Sequence, residues 1–351
     1  MIHVLIWTVI LTILPCLPIV QPAQSNDACA TPVKESSTAQ APRLKGRALM
    51  PGDTIGILAP GSCLRNRDLN PALNELRRMG YKLKLAPNCR AEYGYFAGTD
   101  AQRAADINSF FMDDEVAGIL CLRGGYGSVR VLDKLDYEAI SRHPKQFIGY
   151  SDITALHTAL GERSNLVTVH GPMLVSLLSG SQNTDYTKEN FFKGLKGELY
   201  PGEIPMPQGR KLQTITSGEA EGILVGGNLC LLASMVGTPY ELKGDGGILL
   251  LEDVEETTYR IDRMLQQLWQ SGLFDRVNGV VLGDFTGAEA DYTEGEFHLE
   301  DVLDYYARLT GKPWIKGVPV GHEENNLYIP LGAKARITAE ENGKASLVIL
   351  P

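Results

Sequence analysis

The sequence predicts an α/β protein of two domains: a parallel sheet with helices on its faces, followed by a smaller strand-rich domain. Three observations predict it. From about residue 49 to 170, short apolar runs alternate with segments of helical period, the pattern of βα units whose strands are covered on both faces. Between 183 and 211 that pattern weakens, and Pro201, Gly202, Pro205, Pro207 and Gly209 crowd together as at a crossing between domains. Beyond 212 short strands dominate, which fits a compact α+β or barrel-like unit. A chain of 351 residues, 44% hydrophobic and 21% charged, is long enough for two such cores.

In chain order, residues 4–14 are an apolar run of signal-peptide length, followed by prolines and by Ala23-Gln24-Ser25, a small-x-small site that a signal peptidase could cut. No lysine or arginine precedes the run, so an uncleaved membrane anchor is the competing expectation. Segment 1–25 is therefore read as a signal peptide or anchor, which points to the periplasm or cell envelope. Residues 26–44, rich in Ser, Thr, Ala, Pro and Lys without periodicity, read as a linker.

The first domain spans 45–182. Thr54 to Pro60 and Tyr81 to Ala86 read as strands, and the helix between them carries Leu73, Leu76 and Met79, with Gly80 as its stop. Ala101 to Met112 reads as a helix, Gly118 to Leu122 as a buried strand, Val129 to Arg142 as mostly helix and Gln146 to Tyr150 as a further strand. After the inter-domain stretch, the second domain spans 212–351. Strands are expected at Ala220 to Val225, Gly247 to Leu251, Val277 to Leu282, Ala335 to Ile337 and Ser346 to Leu350, with helices at Tyr259 to Leu273 and Leu299 to Thr310.

The chemistry centres on Gly149-Tyr150-Ser151-Asp152-Ile153-Thr154, an apolar strand end, one serine and then a helix. A serine so placed has free backbone N–H groups beside it, which its hydroxyl needs for an oxyanion once a base takes its proton. Gly149 would let the chain turn sharply. Ile153 stands where the nucleophile-elbow pattern G-x-S-x-G needs its second glycine, so an ordinary α/β-hydrolase is not indicated, and simple helix capping by Ser151-Asp152 is the plain alternative. Ligands of parallel sheets bind beyond the carboxyl ends of the strands, so Arg123-Gly124-Gly125-Tyr126-Gly127-Ser128 and the Ser151 turn could share one cleft. The glycine turn matches neither phosphate-binding pattern.

Of six histidines, His3 lies in the leader. His143 precedes Pro144 in a polar turn, His157 sits on the helix after Ser151, His170 follows a strand and His298 lies in an acidic loop, whereas His322 stands out by following a short apolar strand and a glycine in a loop. Leu249-Leu250-Leu251-Glu252-Asp253 ends a buried strand in a carboxylate pair, where the sheet could aim an acid into the cleft; a solvated acidic turn is the plain alternative.

A net charge of −9 argues against non-specific nucleic-acid binding. Beyond the leader, which holds Cys16, Cys29, Cys63, Cys89, Cys121 and Cys230 are odd in number and lack C-x-x-C spacing, so neither a zinc site nor a complete disulfide framework is indicated. Cys121 and Cys230 read as buried small hydrophobes. No H-E-x-x-H or clustered His and Asp set suggests a metal, and no cofactor is expected.

Taken in order, Pro51-Gly52-Asp53-Thr54-Ile55-Gly56, Arg123 to Gly127, Gly149 to Thr154, Gly226-Gly227-Asn228-Leu229, Leu251-Glu252-Asp253 with Tyr259 to Arg263, and Gly321-His322 before Ile329-Pro330-Leu331-Gly332 resemble the motifs of the LD-carboxypeptidase family of serine peptidases. The resemblance runs from about residue 45 to the end. It implies a flavodoxin-like first domain, a small β-rich second domain with a swivelling, barrel-like sheet, a site between them and a homodimer. It also implies a triad of Ser151, His322 and Glu252, with the backbone amides of Asp152 and Gly125 as oxyanion donors, and an amide at the terminal D-alanine of murein tetrapeptides as substrate. Typical members work in the cytoplasm, whereas the leader here points to the envelope. Relatives that hydrolyse peptide-nucleotide antibiotics are the second reading, and a non-catalytic envelope binding protein the third. A nucleobase platform would have to come from Tyr186, Phe191, Phe192 and Tyr200. Arg123, Arg260 and Arg263 are the candidate partners of a substrate carboxylate, with ion pairing of Arg260 and Arg263 to Asp253 or Glu256 as the alternative.

Overall fold

The computed structural model describes residues 42–65, 68–290 and 292–351. The expected leader, nearly all of the 26–44 linker, Cys16 and Cys29 lie outside the described residues. Among the described residues no helix is long and apolar enough to cross a membrane.

Up to residue 170 strands and helices alternate: β1 (Leu44–Lys45), β2 (Thr54–Leu58), α1 (Asn70–Arg78), β3 (Lys82–Leu85), α2 (Asp100–Met112), β4 (Val116–Cys121), α3 (Tyr137–Arg142), β5 (Gln146–Gly149), α4 (Thr154–Ser164) and β6 (Leu166–His170). Local chemistry sets these bounds. The central strands are apolar on both faces and are covered on both. Thr99 and Gln102 form a capping box at the start of α2, and Gly80 takes φ +92° just past α1, where a side chain would be strained. The segment expected as one helix from Val129 is instead a 3₁₀ turn, Ser128–Lys134, followed by α3; Asp136 starts α3 afresh by accepting from the Ala139 amide at 2.9 Å.

The later elements are α5 (Leu174–Ser179), α6 (Asp185–Leu195), β7 (Gly202–Glu203), β8 (Gln213–Thr216), β9 (Gly218–Asn228), α7 (Leu229–Met235), β10 (Ile248–Val254), α8 (Thr258–Gln270), α9 (Leu273–Arg276), β11 (Gly279–Thr286), α10 (Leu299–Thr310), β12 (Trp314–Lys316), β13 (Ile329–Leu331), β14 (Lys334–Ala339) and β15 (Ala345–Ile349). The stretch expected as an inter-domain link therefore carries a helix, α6, which buries Phe191, Phe192 and Leu195. Its polar first turn masks that apolar face in the sequence.

Among the described residues the first sheet runs β1-β6-β5-β4-β2-β3. Its β3-β2-β4-β5-β6 portion is parallel and has the flavodoxin-like order 2-1-3-4-5. The second sheet runs β7-β15-β14-β9-β10-β11-β12-β8, parallel from β9 to β12 and antiparallel on both flanks. It curls towards closure: the Thr214 amide on β8 donates to Gly343 O at 3.1 Å, in the turn between β14 and β15. One strand joins the two layers. β13 pairs antiparallel with β6, Ile329 opposite His170, so the chain that follows residue 322 is stitched to the first sheet.

Candidate active site

The nucleophile candidate sits where β5 ends. Ser151 opens a single 3₁₀ turn that leads into α4, and its φ is +64°, the left-handed region that a non-glycine residue occupies only under local strain. The strain lies on Ser151 itself and not, as expected, on Gly149. Gly149 is required for a different reason: a Cβ there would come within 2.9 Å of the Ile153 side chain.

Neighbouring chain over-determines this turn. Gly124 stands against it so closely that a Cβ would lie 3.2 Å from Ser151 Cβ and 3.4 Å from both Ser151 Oγ and the Asp152 nitrogen. The Asp152 side chain turns inward, fully buried, and accepts from the amides of Gly127 at 3.2 Å and Ser128 at 2.9 Å. Burial raises this carboxyl above its ordinary range, opposed by those hydrogen bonds. Thus the side chain of Asp152 fastens the glycine turn, and its backbone faces Gly124. Gly125 has φ +101°, and a Cβ on it would strike Ser62 Oγ at 2.4 Å. Ser62 completes the clamp, its amide donating to Gly124 O at 3.2 Å and its hydroxyl accepting from the Tyr126 amide at 3.0 Å.

The base and acid candidates come from the second half. Glu252 lies on β10, wholly buried, opposite a β-bulge: Leu251 pairs with Leu282 but Asp253 with Phe285, so Gly283 and Asp284 together face it. A Cβ on Gly283 would come within 2.5 Å of Val320 O and 3.1 Å of Glu252 Cβ, so glycine stands where the Val320 backbone and the Glu252 side chain both close in. His322 Nδ1 is 3.0 Å from Glu252 Oε2. Burial pushes the Glu252 carboxyl up, but the imidazoles of His170 and His322 outweigh it and hold it down at about 2. An ionised carboxylate only accepts, so Nδ1 of His322 carries the proton and Nε2 is left with a lone pair.

The His322 loop is tied down from both sides. Gly321 has φ +131°, with Glu252 Oε2 and Asp284 packed where a side chain would go. The buried Gln182 donates its Nε2 to the carbonyls of Gly321 at 2.8 Å and Glu323 at 3.1 Å, one on each side of His322. Tyr150, next to Ser151, sets its ring 4.9 Å from that of His322, and burial keeps its phenol neutral by pushing it to about 12.

Ser151, His322, Gly124, Gly125 and Arg123 all line one cavity of about 870 Å³, with Leu64, Tyr150, Met173 and Ser176 as further walls. That volume suits a peptide-sized ligand. Among the described residues Arg123 and Asp68 are the charged side chains that line it, alongside the His322 imidazole. Arg123 spends one hydrogen bond on Cys63 O at 3.2 Å and has no carboxylate partner among the described residues. Arg260 does not line the cavity; it is exposed on α8 and pairs with Glu256 one turn earlier at 3.4 Å. Arg263 is likewise not among the lining residues. Of the four aromatic residues considered as a nucleobase platform, none lines the cavity: Phe191 and Phe192 are core, Tyr186 donates to Pro205 O and Tyr200 to Tyr328 O. Cys121 is buried as expected, while Cys230 is only half-buried, its amide donating to Asp253. Reading the sequence overlooked Gln182 and Ser62 and gave His170 no role; the parts of all three depend on contacts between distant segments.

A strained serine ahead of a helix, sharing one cavity with an imidazole backed by a buried carboxylate, is the constellation of a serine hydrolase. The chain carries the LD-carboxypeptidase N-terminal domain at residues 55–171 and the LD-carboxypeptidase C-terminal domain at 221–337. It belongs to the LD-carboxypeptidase family and is a serine carboxypeptidase. It is 40% identical to a probable murein peptide carboxypeptidase of Bacillus subtilis, over 85% of this chain and 92% of that protein. The crystal structure of muramoyltetrapeptide carboxypeptidase from Oxalobacter formigenes superposes with a TM-score of 0.73 at 30% identity, covering 85% of this chain and 99% of that one. The microcin C7 self-immunity protein MccF of Escherichia coli is 30% identical over 82% of this chain and 90% of its own length.

Proposed function

We propose that the protein hydrolyses the amide between the L-centre of a diamino acid and the terminal D-alanine of murein tetrapeptides. The observation that carries this reading is the His322 Nδ1 to Glu252 Oε2 contact of 3.0 Å, in a ring that shares its cavity with Ser151. In this mechanism Nε2 of His322 takes the Ser151 proton as Oγ attacks the amide carbon, and Glu252 stabilises the imidazolium. His322 then returns the proton to the departing D-alanine nitrogen, and water repeats the cycle on the acyl-enzyme.

The oxyanion falls to the amides of Asp152 and Gly125. Gly124 O is turned to the Ser62 amide, and in a trans peptide the Gly125 N–H points the opposite way, away from Ser62. Losing one such donor costs about 100-fold or more. The substrate carboxylate falls to Arg123, the unpaired guanidinium among the described lining residues, because a planar fork grips a carboxylate bidentately. The peptide-nucleotide reading is disfavoured by the packing of Phe191, Phe192, Tyr186 and Tyr200 away from the cavity.

The test is release of D-alanine from a purified disaccharide tetrapeptide by the full-length chain and by Ser151→Ala. Release by the wild type alone supports the reading. Release by both removes Ser151 as nucleophile, and release by neither from folded protein turns the reading towards peptide nucleotides. The envelope address expected of residues 1–25 is a separate proposal, tested by fractionating cells that carry the chain.

A further inference from the structure

The carboxylate that holds His322 has a second imidazole beside it. His170 ends β6, its backbone paired with Gly149 of β5 on one side and Ile329 of β13 on the other. It is entirely buried, and Nε2 is 3.6 Å from Glu252 Oε1, the oxygen that His322 does not use. Neither ring nitrogen of His170 has a hydrogen bond, nor does Glu252 Oε1. Three buried polar atoms without partners, two of them facing each other slightly beyond bonding distance, are costly to leave so. They need a reason.

We propose that His170 is a positioning residue of the catalytic machinery, a second imidazole that donates its Nε2–H to Glu252 Oε1 and so shares the triad carboxylate with His322. This rests on the reading of Glu252 and His322 as the acid–base pair. The physical argument concerns where charge appears. When His322 accepts the Ser151 proton, Glu252 must stay fixed and ionised without a water shell. An acceptor-only carboxylate held by one donor can rotate about its terminal torsion; held at both oxygens it cannot. The gap of 3.6 Å is closed by a shift of a few tenths of an ångström, within reach of a side chain.

The placement also couples the two halves of the molecule. His170 is on the sheet that presents Ser151, and Glu252 on the sheet that orients the base. A contact between them fixes the separation of nucleophile and base. The other ionisable groups facing this carboxylate already have partners: Asp253 turns to Asn228 and the Cys230 amide, and Asp284 to Arg210. Tyr150 stands 5.9 Å from the His170 ring, and His157 holds Gly149 O. None of them takes Oε1.

His170→Phe keeps the ring volume and removes the donor, whereas His170→Gln returns an N–H near the Nε2 position. The expected result for His170→Phe is a fall in kcat of about 10-fold or more at nearly unchanged KM, the scale on which outer partners of functional imidazoles count. With its charge no longer shared, Glu252 attracts the His322 proton more strongly, so the acid limb of kcat/KM moves to higher pH. His170→Gln should recover most of both. Histidine ¹⁵N NMR titration of His322 in a Ser151→Ala background reads the same shift without turnover, so it stays informative if D-alanine release itself fails. An unmoved His322 titration in His170→Phe, or equal kcat loss in both variants with an unmoved limb, would overturn the proposal. Should His170→Phe fail to fold, the comparison of His170→Gln with His170→Asn, whose shorter amide falls away from Oε1, decides in the same way.

Discussion

Ser151 is positioned almost entirely by chain from residues 61 to 153, through Gly124 packed against it, Asp152 reaching back to the Gly127 and Ser128 amides, and Ser62 clasping the glycine turn. His322 and Glu252 are brought together from 70 residues apart and then fixed by Gln182, a further 139 residues from Gly321. The first region stores strain in one backbone torsion; the second stores it in buried polar groups. The nucleophile turn thus depends on local backbone geometry, whereas the base–acid pair depends on the docking of two sheets.

The contrast is sharpest at Ser151. Replacement by alanine should lower D-alanine release by about 10⁴-fold or more while leaving the melting temperature nearly unchanged. Ser151→Gly should be equally inactive yet more stable by about 1 kcal/mol, because glycine takes φ +64° without strain. An unaltered or lowered melting temperature in Ser151→Gly would show that the turn is not strained. On the other arm Glu252→Gln should cost about 10³- to 10⁴-fold in kcat, since an amide can offer its N–H to Nδ1 and favour the wrong tautomer. A loss below 10-fold would remove Glu252 from the mechanism.

Two smaller changes probe the supports. Gly321→Ala, at φ +131° with Glu252 Oε2 3.1 Å from the added Cβ, should destabilise by about 1 to 3 kcal/mol and lower kcat more than it changes KM. Arg123→Gln should do the reverse, raising KM by about 10-fold or more at a smaller cost in kcat, as the loss of a carboxylate clamp requires. Equal effects of the two on KM would break the division between positioning and binding.

The same division explains what the sequence disclosed. Strands β2, β4 and β5 announce themselves by apolar runs covered on both faces, and α10 by its apolar period from Leu299 to Thr310. Ser151 was legible because a strand end, a serine and a helix are contiguous. Glu252 and His322 were each visible as a strand end and a loop residue, but only the ordered motifs of a family joined them. Gln182 and His170 left no local trace: a buried glutamine and a histidine closing an apolar strand acquire meaning only once β13 lies on β6 and β10 lies opposite. α6 was hidden for a different reason. Its polar first turn, Asp185 to Lys188, follows a run of Ser, Gln, Asn and Thr that reads as loop, and its apolar face shows only from Phe191 onward.

Acid should separate the two regions in order. His157 lies on α4 behind the Ser151 turn, its Nε2 donating to Gly149 O at 2.8 Å, and burial lowers it to about 3. In the unfolded chain a histidine protonates near ~6.5, so between that pH and about 3 the unfolded state binds the extra proton and stability falls as pH falls. The slope cannot exceed ~1.4 kcal/mol per pH unit. Glu252, held at about 2, makes its contribution in full above the unfolded carboxyl value of ~4.3 and loses it only below, down to about 2. Hydrogen exchange across pH 7 to 4 should therefore show the amides of the Ser151 turn losing protection first, while those flanking His322 persist until the carboxylate window. His157→Gln keeps a donor for Gly149 O and cannot protonate, so it should flatten the upper part of the stability curve and leave the lower part intact. A curve unchanged by His157→Gln would place the acid sensitivity elsewhere. Simultaneous loss of protection in both would show that the two regions behave as one cooperative unit.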